Sequence, residues 1–398
     1  MRILQLHNHH SGPGGAIEVL AHEAGLLTDG GHDVAQLTLA AAEDLRLSPV
    51  RAGLKAVWNV EVCRELEDRI RSFRPDVVHV HTPFPLMSPA VFRTARRMGV
   101  PSVTTLHSYR YSCIAAICYR DGRVCLDCVE RKVKLPGIRH RCYHDSLGAS
   151  TALTAGLALH RSIGTLRGDV DRYLALTAFS RSLLIRDGIP ADKVVVKPNS
   201  VPDPGQVKPA PGQDRYLVFA GRLMEIKGVH TMLEAWARCD HGDLRLVIAG
   251  DGELRPMVEE RVANDPSLSF RGWVDEAEVF DLMGRAQAVL VPSEWFEGGS
   301  PLVALRSLAA GTPVVVSDLE NISAAVLEDD AGVAFPVGDV DGLSRTLTQV
   351  AADASGWRNR RARARASYEK RYSPSVNLPR LERIYGDVIA ASRESRRD

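Results

Sequence analysis

An arginine and a lysine lie close together in the second half of the chain, where a predicted strand gives way to a predicted helix. The apolar run that ends at Ala220 is followed by Gly221, Arg222 and Lys227. A guanidinium can hold two phosphate oxygens at once, and an ammonium adds a compact positive charge. Ligands of open parallel sheets bind at the carboxyl ends of strands. We therefore predict that these residues bind a diphosphate, the alternative being two solvated surface charges.

A glutamate and a glycine-rich turn precede another predicted helix. Glu297 is followed by Gly298, Gly299 and Ser300, and the helix is predicted to begin at Leu302. Backbone N–H groups at a helix start can bind an anion, and a carboxylate can accept hydrogen bonds from sugar hydroxyls. The alternative is a helix cap in which the carboxylate only compensates the helix dipole.

The first half of the chain carries glycines and histidines at comparable positions. Gly14 and Gly15 open the first predicted helix, where they either let the backbone approach an anion or form a tight turn without a ligand. His107 ends a predicted strand, and at that edge we predict a functional role for it. We expect His79 and His81 to make structural hydrogen bonds instead.

Five of the seven cysteines fall within thirty residues. Cys125 and Cys128 have the Cys-x-x-Cys spacing of zinc sites, and Cys113 and Cys142 would complete a shell of four thiolates. Such a closed shell would be structural, because a catalytic zinc keeps an open position. The alternatives are reduced thiols in a loop and, less favoured in the cytosol, a disulfide.

Two runs of basic residues accompany these motifs. The first lies between the last two clustered cysteines and comprises Arg131, Lys132, Lys134, Arg139 and Arg141. It is expected either to attract an anionic acceptor or a lipid surface, or to be merely solvated. The second lies on a predicted C-terminal helix, where we expect surface ion pairs, and comprises Arg358, Arg360, Arg361, Arg363 and Arg365.

Two series of short apolar runs, separated by segments of helical periodicity, must position these side chains. In the first series we predict strands at residues 3–6, 34–39, 77–81, 103–106, 173–176 and 194–196. In the second we predict strands at residues 216–220, 244–249, 288–291 and 313–316, with helices at 229–237, 254–263, 277–285 and 302–310. This pattern is typical of parallel sheets covered on both faces. The sequence therefore predicts an α/β protein with two Rossmann-like, doubly wound domains that face a central cleft.

A cluster of prolines separates the two series and marks a linker. We predict an N-terminal, acceptor-binding domain at residues 1–197 with a cysteine-rich insertion at about 108–145. A linker at 198–214 leads to a C-terminal domain at 215–370. The remaining residues, 371–398, are predicted to form a helix that crosses back to the N-terminal domain.

Composition excludes several classes of protein. The 398 residues carry 50 Lys and Arg against 49 Asp and Glu, so the basic field of a nucleic-acid-binding chain is absent. Seven cysteines are too few for a disulfide scaffold, and no segment is a continuous apolar membrane span. We expect a cytoplasmic protein; the alternative is a cytoplasmic protein that also binds peripherally to the inner face of the membrane.

Taken as an ordered set, the motifs resemble glycosyltransferase family four, the retaining GT-B enzymes that use nucleotide-sugar donors. The resemblance covers roughly residues 1–350. The motifs, in order, are Gly14-Gly15, Val78-His79-Val80-His81, Leu106-His107, Gly221-Arg222-Leu223 with Lys227-Gly228, Ala249-Gly250-Asp251-Gly252, Phe270-Arg271-Gly272-Trp273-Val274, Val291-Pro292-Ser293 and Ala309-Ala310-Gly311-Thr312-Pro313-Val314-Val315.

The resemblance implies roles for the residues of both halves. Arg222 and Lys227 would bind the donor diphosphate, with Gly14 and Gly15 closing over it. His107 would contact the transferred sugar. The acceptor would attack the sugar on the same face from which the leaving group departs, and the leaving group would itself take the acceptor proton. The chemistry would then require neither a metal nor a cofactor.

The loop that ends in Trp273 and Val274 would hold the donor base, and Glu297 would match the first glutamate of the family's paired-glutamate motif. The family's second glutamate, which receives the nucleotide ribose, is replaced here by Arg306, and the intervening loop is one residue longer. This departure places ribose recognition and donor identity in question.

Other functions stay open as alternatives. An epimerase or a phosphorylase shares the two-domain architecture, but no carboxylate pair and no pyridoxal-bearing lysine can be assigned. The Arg306 departure is compatible with a degenerate transferase that only binds a sugar nucleotide. A zinc-containing nucleic-acid binder rests on the cysteines and the basic run alone, and basic and aromatic residues do not alternate as such binders require. Donor base, sugar, acceptor and oligomeric state cannot be read from the sequence.

Overall fold

The computed structural model describes residues 1–9, 15–40, 47–205 and 215–396. The chain divides into two compact units. The first comprises residues 1–121, 125–199 and 377–398, and the second comprises residues 122–124 and 200–376. Among the described residues, none of the helices combines the length and the apolar character needed to cross a bilayer.

The first unit is built on a parallel sheet with helices on both faces. The strands of its sheet are β1 (Arg2–Asn8), β2 (Asp33–Leu39), β3 (Val77–Thr82), β4 (Ser102–Thr105), β7 (Arg172–Ala175) and β8 (Val194–Val196). A separate two-stranded sheet consists of β5 (Tyr119–Arg120) and β6 (Arg123–Val124). Its helices are α1 (Gly15–Asp29), α2 (Pro49–Val57), α3 (Val60–Phe73), α4 (Ala90–Arg97), α5 (Leu135–Arg139), α6 (Leu147–Ser162) and α7 (Ala178–Arg186).

The strand order of the first sheet is β2-β1-β3-β4-β7-β8, and all neighbours are parallel. The central strand β3 is buried at every position, as expected for a β-branched run covered on both faces. The order of connection reverses between β1 and β3. At such a reversal the loops that follow the two strands leave a crevice at the carboxyl edge of the sheet.

The second unit repeats the design with a second parallel sheet. Its strands are β9 (Tyr216–Ala220), β10 (Arg245–Ala249), β11 (Leu268–Gly272), β12 (Ala288–Val291), β13 (Val314–Ser317) and β14 (Gly332–Phe335). Its helices are α8 (Val229–Arg238), α9 (Arg255–Asn264), α10 (Glu276–Arg285), α11 (Leu302–Ala309), α12 (Glu320–Leu327), α13 (Val340–Ala352) and α14 (Ala354–Arg371). The strand order is β11-β10-β9-β12-β13-β14, so the reversal lies between β9 and β12.

The last helix, α15 (Pro374–Glu394), packs on the sheet of the first unit through its residues from 377 onward. Leu381, Tyr385 and Val388 are buried there in a cluster with Ile3 and Val77. Because both faces of this sheet are apolar, the helix removes from water a surface that β1 and β3 would otherwise expose.

The prediction of two doubly wound α/β domains is confirmed, and the ten predicted strands occur within a few residues of their expected bounds. Two edge strands, β11 and β14, were not predicted. β11 carries the exposed Arg271 within a run of only five residues. β14 begins at Gly332, where a side chain would meet the carbonyl oxygen of Val314 at 1.9 Å, so a close backbone contact replaces the usual apolar signal.

The sequence predicted that the arginines of α14 form surface ion pairs, and this describes only part of their contacts. Arg360 and Arg363 do pair with Asp330. Arg361, however, donates to the carbonyl oxygens of Gly284 at 2.7 Å and of Ala286 at 3.1 Å, at the end of α10. Arg365 forms the predicted ion pairs, with Asp203 at 2.7 Å and with Glu369 at 2.7 Å, and it also donates to the carbonyl of the last residue of α11, Ala309, at 2.7 Å. The helix therefore supplies donors to carbonyls that helix ends leave unpaired.

Candidate functional site

Arg222 and Lys227 lie at the carboxyl edge of the second sheet, in the connection from β9 to α8. A single 3-10 turn, Glu225–Lys227, presents the lysine, and Gly228 follows in the left-handed conformation with φ of 70°. Arg222 is exposed and has no ion-pair partner among the described residues, whereas the Lys227 side chain is largely buried. Both cations therefore lie beside the reversal of strand order, where this fold class binds ligands.

Three glycines let the loops of this edge touch through their backbones. A Cβ at Gly228 would lie 1.9 Å from the carbonyl oxygen of Pro292, which follows β12. A Cβ at Gly250 would lie 1.8 Å from the carbonyl oxygen of Gly221, and a Cβ at Gly252 would lie 2.5 Å from that of Leu223. Sequence reasoning assigned a role to Gly221 instead, at which a Cβ would meet only the Phe219 ring at 3.7 Å.

The structure brings together two predicted site residues that are seventy positions apart. Lys227 Nζ lies 2.5 Å from Glu297 Oε1, and Ser293 Oγ donates to the same carboxylate oxygen at 2.9 Å. The Lys227 ammonium also lies 5.5 Å from the centre of the Trp295 ring. The carboxylate thus holds the ammonium at the junction of the β9 and β12 loops.

The segment from Gly298 to Ser300 leads into α11 without a side-chain cap. Pro301 occupies the N-cap position, and no side chain accepts a hydrogen bond from the first turn. Gly299 and Ser300 are buried, and Leu302 is the first helical residue. A helix start of this kind offers backbone N–H groups and the positive end of the helix dipole to an anion.

Trp273 and Val274 follow β11 and precede α10. The Trp273 side chain is 73% exposed, which is unusual for an indole and leaves its face open for stacking. Arg306 lies on α11 and donates to Glu276 Oε1 at 2.8 Å, in the first turn of α10. The arginine is therefore engaged with a carboxylate, and sequence reasoning did not anticipate this partner.

In the first unit, Gly15 is the first residue of α1 and is exposed, while Gly14 lies outside the described residues. His107 follows β4 and lines a small pocket at the carboxyl edge of the sheet, together with Thr82, Ser108 and Tyr111. His107 Nε2 lies 2.9 Å from His81 Nδ1. Burial and the neighbouring His81 hold the pKa of His107 well below its usual value, so the ring is neutral at pH 7.

A buried polar cluster lies behind His107. Glu23 Oε1 lies 3.1 Å from His79 Nδ1 and 3.2 Å from His81 Nε2, and Glu23 Oε2 pairs with Lys197 Nζ at 2.8 Å. Burial alone would raise the pKa of Glu23, but Lys197 and His79 bring it well below its ordinary value. Burial lowers the pKa of His79 to about 4. The cluster therefore places the Glu23 carboxylate between the Lys197 ammonium and a His79 imidazole that is neutral at pH 7.

Among the described residues, one group of three or more His, Cys, Asp or Glu side chains has its potential metal-ligand atoms all within 4.8 Å of one another. This group is Glu23, His79 and His81. Their contacts do not resemble a metal site. The Glu23 carboxylate is already paired with an ammonium, and His79 is hydrogen-bonded through both nitrogens, to Tyr385 at 2.7 Å and to Thr105 at 2.8 Å. Sequence reasoning missed Glu23, although it interrupts the buried stripe of α1 formed by Val19, Leu20 and Leu27.

The four cysteines predicted to bind zinc line one pocket in the insertion. The sulfurs are not arranged at ligand spacing, because no three of the described cysteines have their sulfur atoms within 4.8 Å of one another. Cys113 is instead closest to Cys118, whose hydrogen bond lowers the pKa of the Cys113 thiol to about 6. All seven cysteines are free thiols.

A buried ion pair holds the insertion against the first unit. Lys134 Nζ lies 2.8 Å from Asp187 Oδ1, at the end of α7, and donates to the carbonyl oxygen of Cys128 at 2.8 Å. Asp187 also accepts from the backbone N–H of Glu130 at 2.6 Å. The sequence grouped Lys134 with an exposed basic run; that was wrong, because this lysine is only 1% exposed and serves as an anchor.

Comparison with known proteins follows the division into two units. A family profile described as "Glycosyl transferase 4-like domain" matches residues 14–200, and a profile described as "Glycosyl transferases group 1" matches residues 214–353. Together they cover most of the chain, including both sheet edges described above.

Two curated relatives are similar over long stretches. The chain is 30% identical to a glycogen synthase of Mycobacterium tuberculosis over 302 residues, which are 74% of this chain and 64% of that protein. It is 26% identical to a phosphatidyl-myo-inositol mannosyltransferase of Mycolicibacterium smegmatis over 397 residues, which are 95% of this chain and 92% of that protein. The chain thus spans under two thirds of the glycogen synthase.

Solved structures share the fold at low sequence identity. A glycosyltransferase of Rickettsia africae superposes with a TM-score of 0.71 at 15% identity, covering 98% of both chains. HepE of Anabaena, solved in complex with UDP, superposes with a TM-score of 0.68 at 16% identity, covering 97% of this chain and 100% of its own. With two parallel six-stranded sheets and both profiles matched, the chain belongs to the glycosyltransferases of family four, with the GT-B fold.

Proposed function

We propose that this protein is a retaining glycosyltransferase that moves a sugar from a nucleotide-diphosphate donor to an acceptor hydroxyl. The observation that carries the proposal is the arrangement of Lys227 and Glu297 beside the uncapped start of α11, at the reversal of strand order in the second unit. The ammonium and the helix start would bind the diphosphate of such a donor. The carboxylate would accept hydrogen bonds from the hydroxyls of its sugar.

Charge stabilisation of the leaving group would provide most of the catalysis. Breaking the sugar–phosphate bond places negative charge on the departing diphosphate and positive character on the sugar ring. Lys227, the exposed Arg222 and the backbone N–H groups at Leu302 would receive the negative charge. Lys227 is paired with Glu297, so in this proposal the lysine would exchange this carboxylate for phosphate, leaving Glu297 to accept hydrogen bonds from sugar hydroxyls.

Further residues would position the donor. Gly221 and the segment Gly298 to Ser300 would line the phosphates, and Gly14 and Gly15 would approach them from the first domain. Trp273 and Val274 would hold the base, the exposed indole by stacking. His107 would contact the transferred sugar.

The reaction would retain the anomeric configuration, with the acceptor attacking on the face that the diphosphate leaves and the diphosphate taking the acceptor proton. No metal ion is needed in this scheme, since Arg222 and Lys227 supply the positive charge. Asp339 and Asp341 have the Asp-x-Asp spacing of a metal-binding motif, but Asp339 caps α13 by accepting from the N–H of Gly342 at 2.9 Å and so has a structural role. Undiminished turnover in EDTA would support this part of the proposal, and loss that magnesium restores would contradict it.

A second candidate function is binding of a sugar nucleotide without transfer. Arg306 favours it, because the ion pair with Glu276 places a cation where family members receive the ribose on a carboxylate. Donor consumption and a mass shift on an acceptor separate the two candidates. Stabilisation by a nucleotide without any donor consumption would favour the binder.

The acceptor would be a polysaccharide, a lipid or a natural product, and a lipid is favoured by the surface of α2. Val50 and Leu54, one helical turn apart, are 73% and 66% exposed, and Arg51 lies exposed between them. An exposed apolar pair beside a cation suits an anionic bilayer surface. Co-sedimentation with phosphatidylglycerol vesicles, absent with neutral vesicles and lost in Leu54→Glu, would support peripheral contact; no binding to either would exclude it.

We also propose that zinc can bind the insertion, which would require Cys113, Cys125, Cys128 and Cys142 to move inward from the pocket that they line. Such a metal would be structural and would take no part in transfer. Elemental analysis of the purified chain tests this directly.

The first experiment is a thermal stability screen with UDP, GDP, ADP and dTDP and their sugar derivatives, since ligands that bind the folded state raise its apparent stability. A matching nucleotide should raise the melting temperature in the wild type and much less in Lys227→Ala. If no nucleotide stabilises the chain and no donor is consumed, the proposed function fails.

A further inference from the structure

The contact between His81 and His107 joins a pocket residue to a buried charge. His107 Nε2 lies 2.9 Å from His81 Nδ1, and the two rings are nearly parallel at 15° with centroids 5.2 Å apart. His81 is buried, whereas His107 is partly exposed in the pocket wall. Two ring nitrogens at this distance share one proton, so one ring donates and the other accepts.

The charges behind His81 decide the direction of this hydrogen bond. Glu23 Oε1 lies 3.2 Å from His81 Nε2, and the carboxylate is kept ionised by Lys197. A lone pair on Nε2 would be repelled by this oxygen, so the proton of His81 belongs on Nε2 and its lone pair on Nδ1. His107 must then donate its own Nε2–H to His81.

We propose that Glu23 and His81 are positioning residues that fix His107 in the Nε2–H tautomer, so that its Nδ1 faces the pocket as a hydrogen-bond acceptor for a substrate hydroxyl. The proposal rests on the proposed function for the identity of that substrate. It goes beyond it by assigning His107 a single hydrogen-bonding role, and by extending the site to two residues that do not touch substrate.

This assignment has a consequence for specificity. An imidazole that can only accept selects a donor group, and the hydroxyls of a sugar are such groups, whereas a carboxylate, a phosphate or a fluorine at the same place offers no proton. Among the described residues His107 Nδ1 has no hydrogen-bond partner, so it is available for this contact. A deoxy or fluoro sugar at the contacted position should therefore be a poorer substrate than the hydroxyl form.

The direct test is the imidazole nitrogen spectrum of the full chain labelled with ¹⁵N-histidine at pH 7.5. His107 is assigned as the signal that disappears in His107→Gln. We expect its Nε2 to carry the proton in the wild type, and the population of the Nδ1–H form to rise in Glu23→Gln and in His81→Phe. A wild-type His107 protonated on Nδ1, or a tautomer that neither substitution moves, would overturn the proposal without any measurement of activity.

Kinetics give the second readout, with variants that separate the tautomer from general damage to the cluster. His81→Phe should lower kcat by about tenfold, the effect of one lost hydrogen bond, with little change in KM for the donor. His81→Asn keeps an acceptor atom at the place of Nδ1 and should restore most of the rate. Tyr385→Phe removes a contact of His79 but none of His107 and should leave kcat unchanged.

If His81→Asn is as slow as His81→Phe, or if Tyr385→Phe is equally slow, His81 supports the fold rather than the tautomer and the proposal fails. Should no donor be turned over by any variant, including the wild type, it is the proposed function that fails, and the nitrogen spectrum still decides the tautomer.

Discussion

Lys227 Nζ lies 2.5 Å from Glu297 Oε1, across the reversal of strand order in the second domain. The pair holds an ammonium at the carboxyl edge of the sheet and neutralises part of its charge. In the proposed function, a donor diphosphate would replace Glu297 as the anionic partner of Lys227.

Replacement of Lys227 by alanine should slow sugar transfer by about a hundredfold or more, the usual effect of removing one group that stabilises developing charge. The fall should appear in kcat with a matching fall in kcat/KM, measured as nucleotide released per enzyme. The matched control is Lys370→Ala, which removes an exposed lysine of α14 that is paired with Asp329. Equal turnover of the two variants would remove Lys227 from the active site.

Glu297→Gln should have opposite effects on two ligands. Without the carboxylate, Lys227 is free for phosphate, so the bare nucleoside diphosphate should bind more tightly, by about three- to tenfold. The sugar nucleotide should lose turnover, because its hydroxyls lose an ionised acceptor. Titration calorimetry with both ligands distinguishes this exchange from a simple loss of structure, which would weaken both.

Gly250→Ala should destabilise the second domain by about 2 kcal/mol or more, because a Cβ at this positive φ meets the backbone of Gly221 at 1.8 Å. Gly221→Ala is the informative comparison, since its Cβ would meet only the Phe219 ring. We expect Gly221→Ala to fold normally and to lose donor affinity. Urea unfolding followed by nucleotide titration separates the two effects; equal stability of both variants would contradict the close approach.

Stability should fall as the pH is lowered from 6.5 towards 4. The pKa of His79 is about 4 in the folded chain, and the unfolded state therefore binds more protons over this range. For this histidine alone the loss at pH 4 relative to pH 7 is about 3 kcal/mol. Glu23, whose pKa is also lowered by Lys197 and His79, adds a loss of the same sign as it protonates.

The measurement is urea unfolding at a series of pH values in the wild type and in His79→Gln. The groups that face His79 are Glu23, His81 and Tyr385, and Lys197 lies behind the carboxylate. We expect the variant to be less stable at pH 7 but to show a shallower decline. A decline as steep in His79→Gln as in the wild type would assign the effect to other carboxylates.

The insertion should stay in place without its thiols but not without its buried ion pair. Cys128→Ser should release zinc if zinc is bound, as elemental analysis would detect, and should change the stability little. Lys134→Met leaves the buried Asp187 carboxylate with Arg161, at 3.4 Å, as its remaining cation, so the loss should stay below the roughly 3 to 5 kcal/mol of a fully broken buried pair. Limited proteolysis should therefore cut residues 108–145 faster in Lys134→Met than in Cys128→Ser, and the reverse order would make the thiols the anchor.

The sequence predicts the sheets well because their strands are short, mainly apolar runs separated by helical patterns, and it places Arg222, Lys227, Glu297 and His107 after such runs for the same reason. It does not predict that Lys227 meets Glu297, since periodicity says nothing about which strands are neighbours. The contact follows from the pairing of β9 with β12, which brings together loops seventy residues apart.

The buried cluster of Glu23, His79, His81 and Lys197 is harder to predict from the sequence. Glu23 breaks the apolar stripe of α1, which is a signal, but its partners come from β3 and from the end of β8, and α15 contributes Tyr385 as a partner of His79. Burial of a carboxylate is tolerable only when those partners converge on it, and convergence is a tertiary property. The same argument explains why Lys134 was grouped with surface cations before Asp187 was known to face it.

The guanidinium groups of α14 have a consequence for the proposed donor site. The carbonyl that closes α11 is bonded to Arg365, while the opposite end of that helix begins beside Glu297 and Lys227. Arg365 is itself paired with Asp203 and Glu369, so it acts here as a hydrogen-bond donor. That bond at one pole and an incoming phosphate at the other would stabilise the same helix dipole. Substitution of Arg365 would then change the nucleotide affinity of the proposed donor site, although this arginine does not contact the nucleotide.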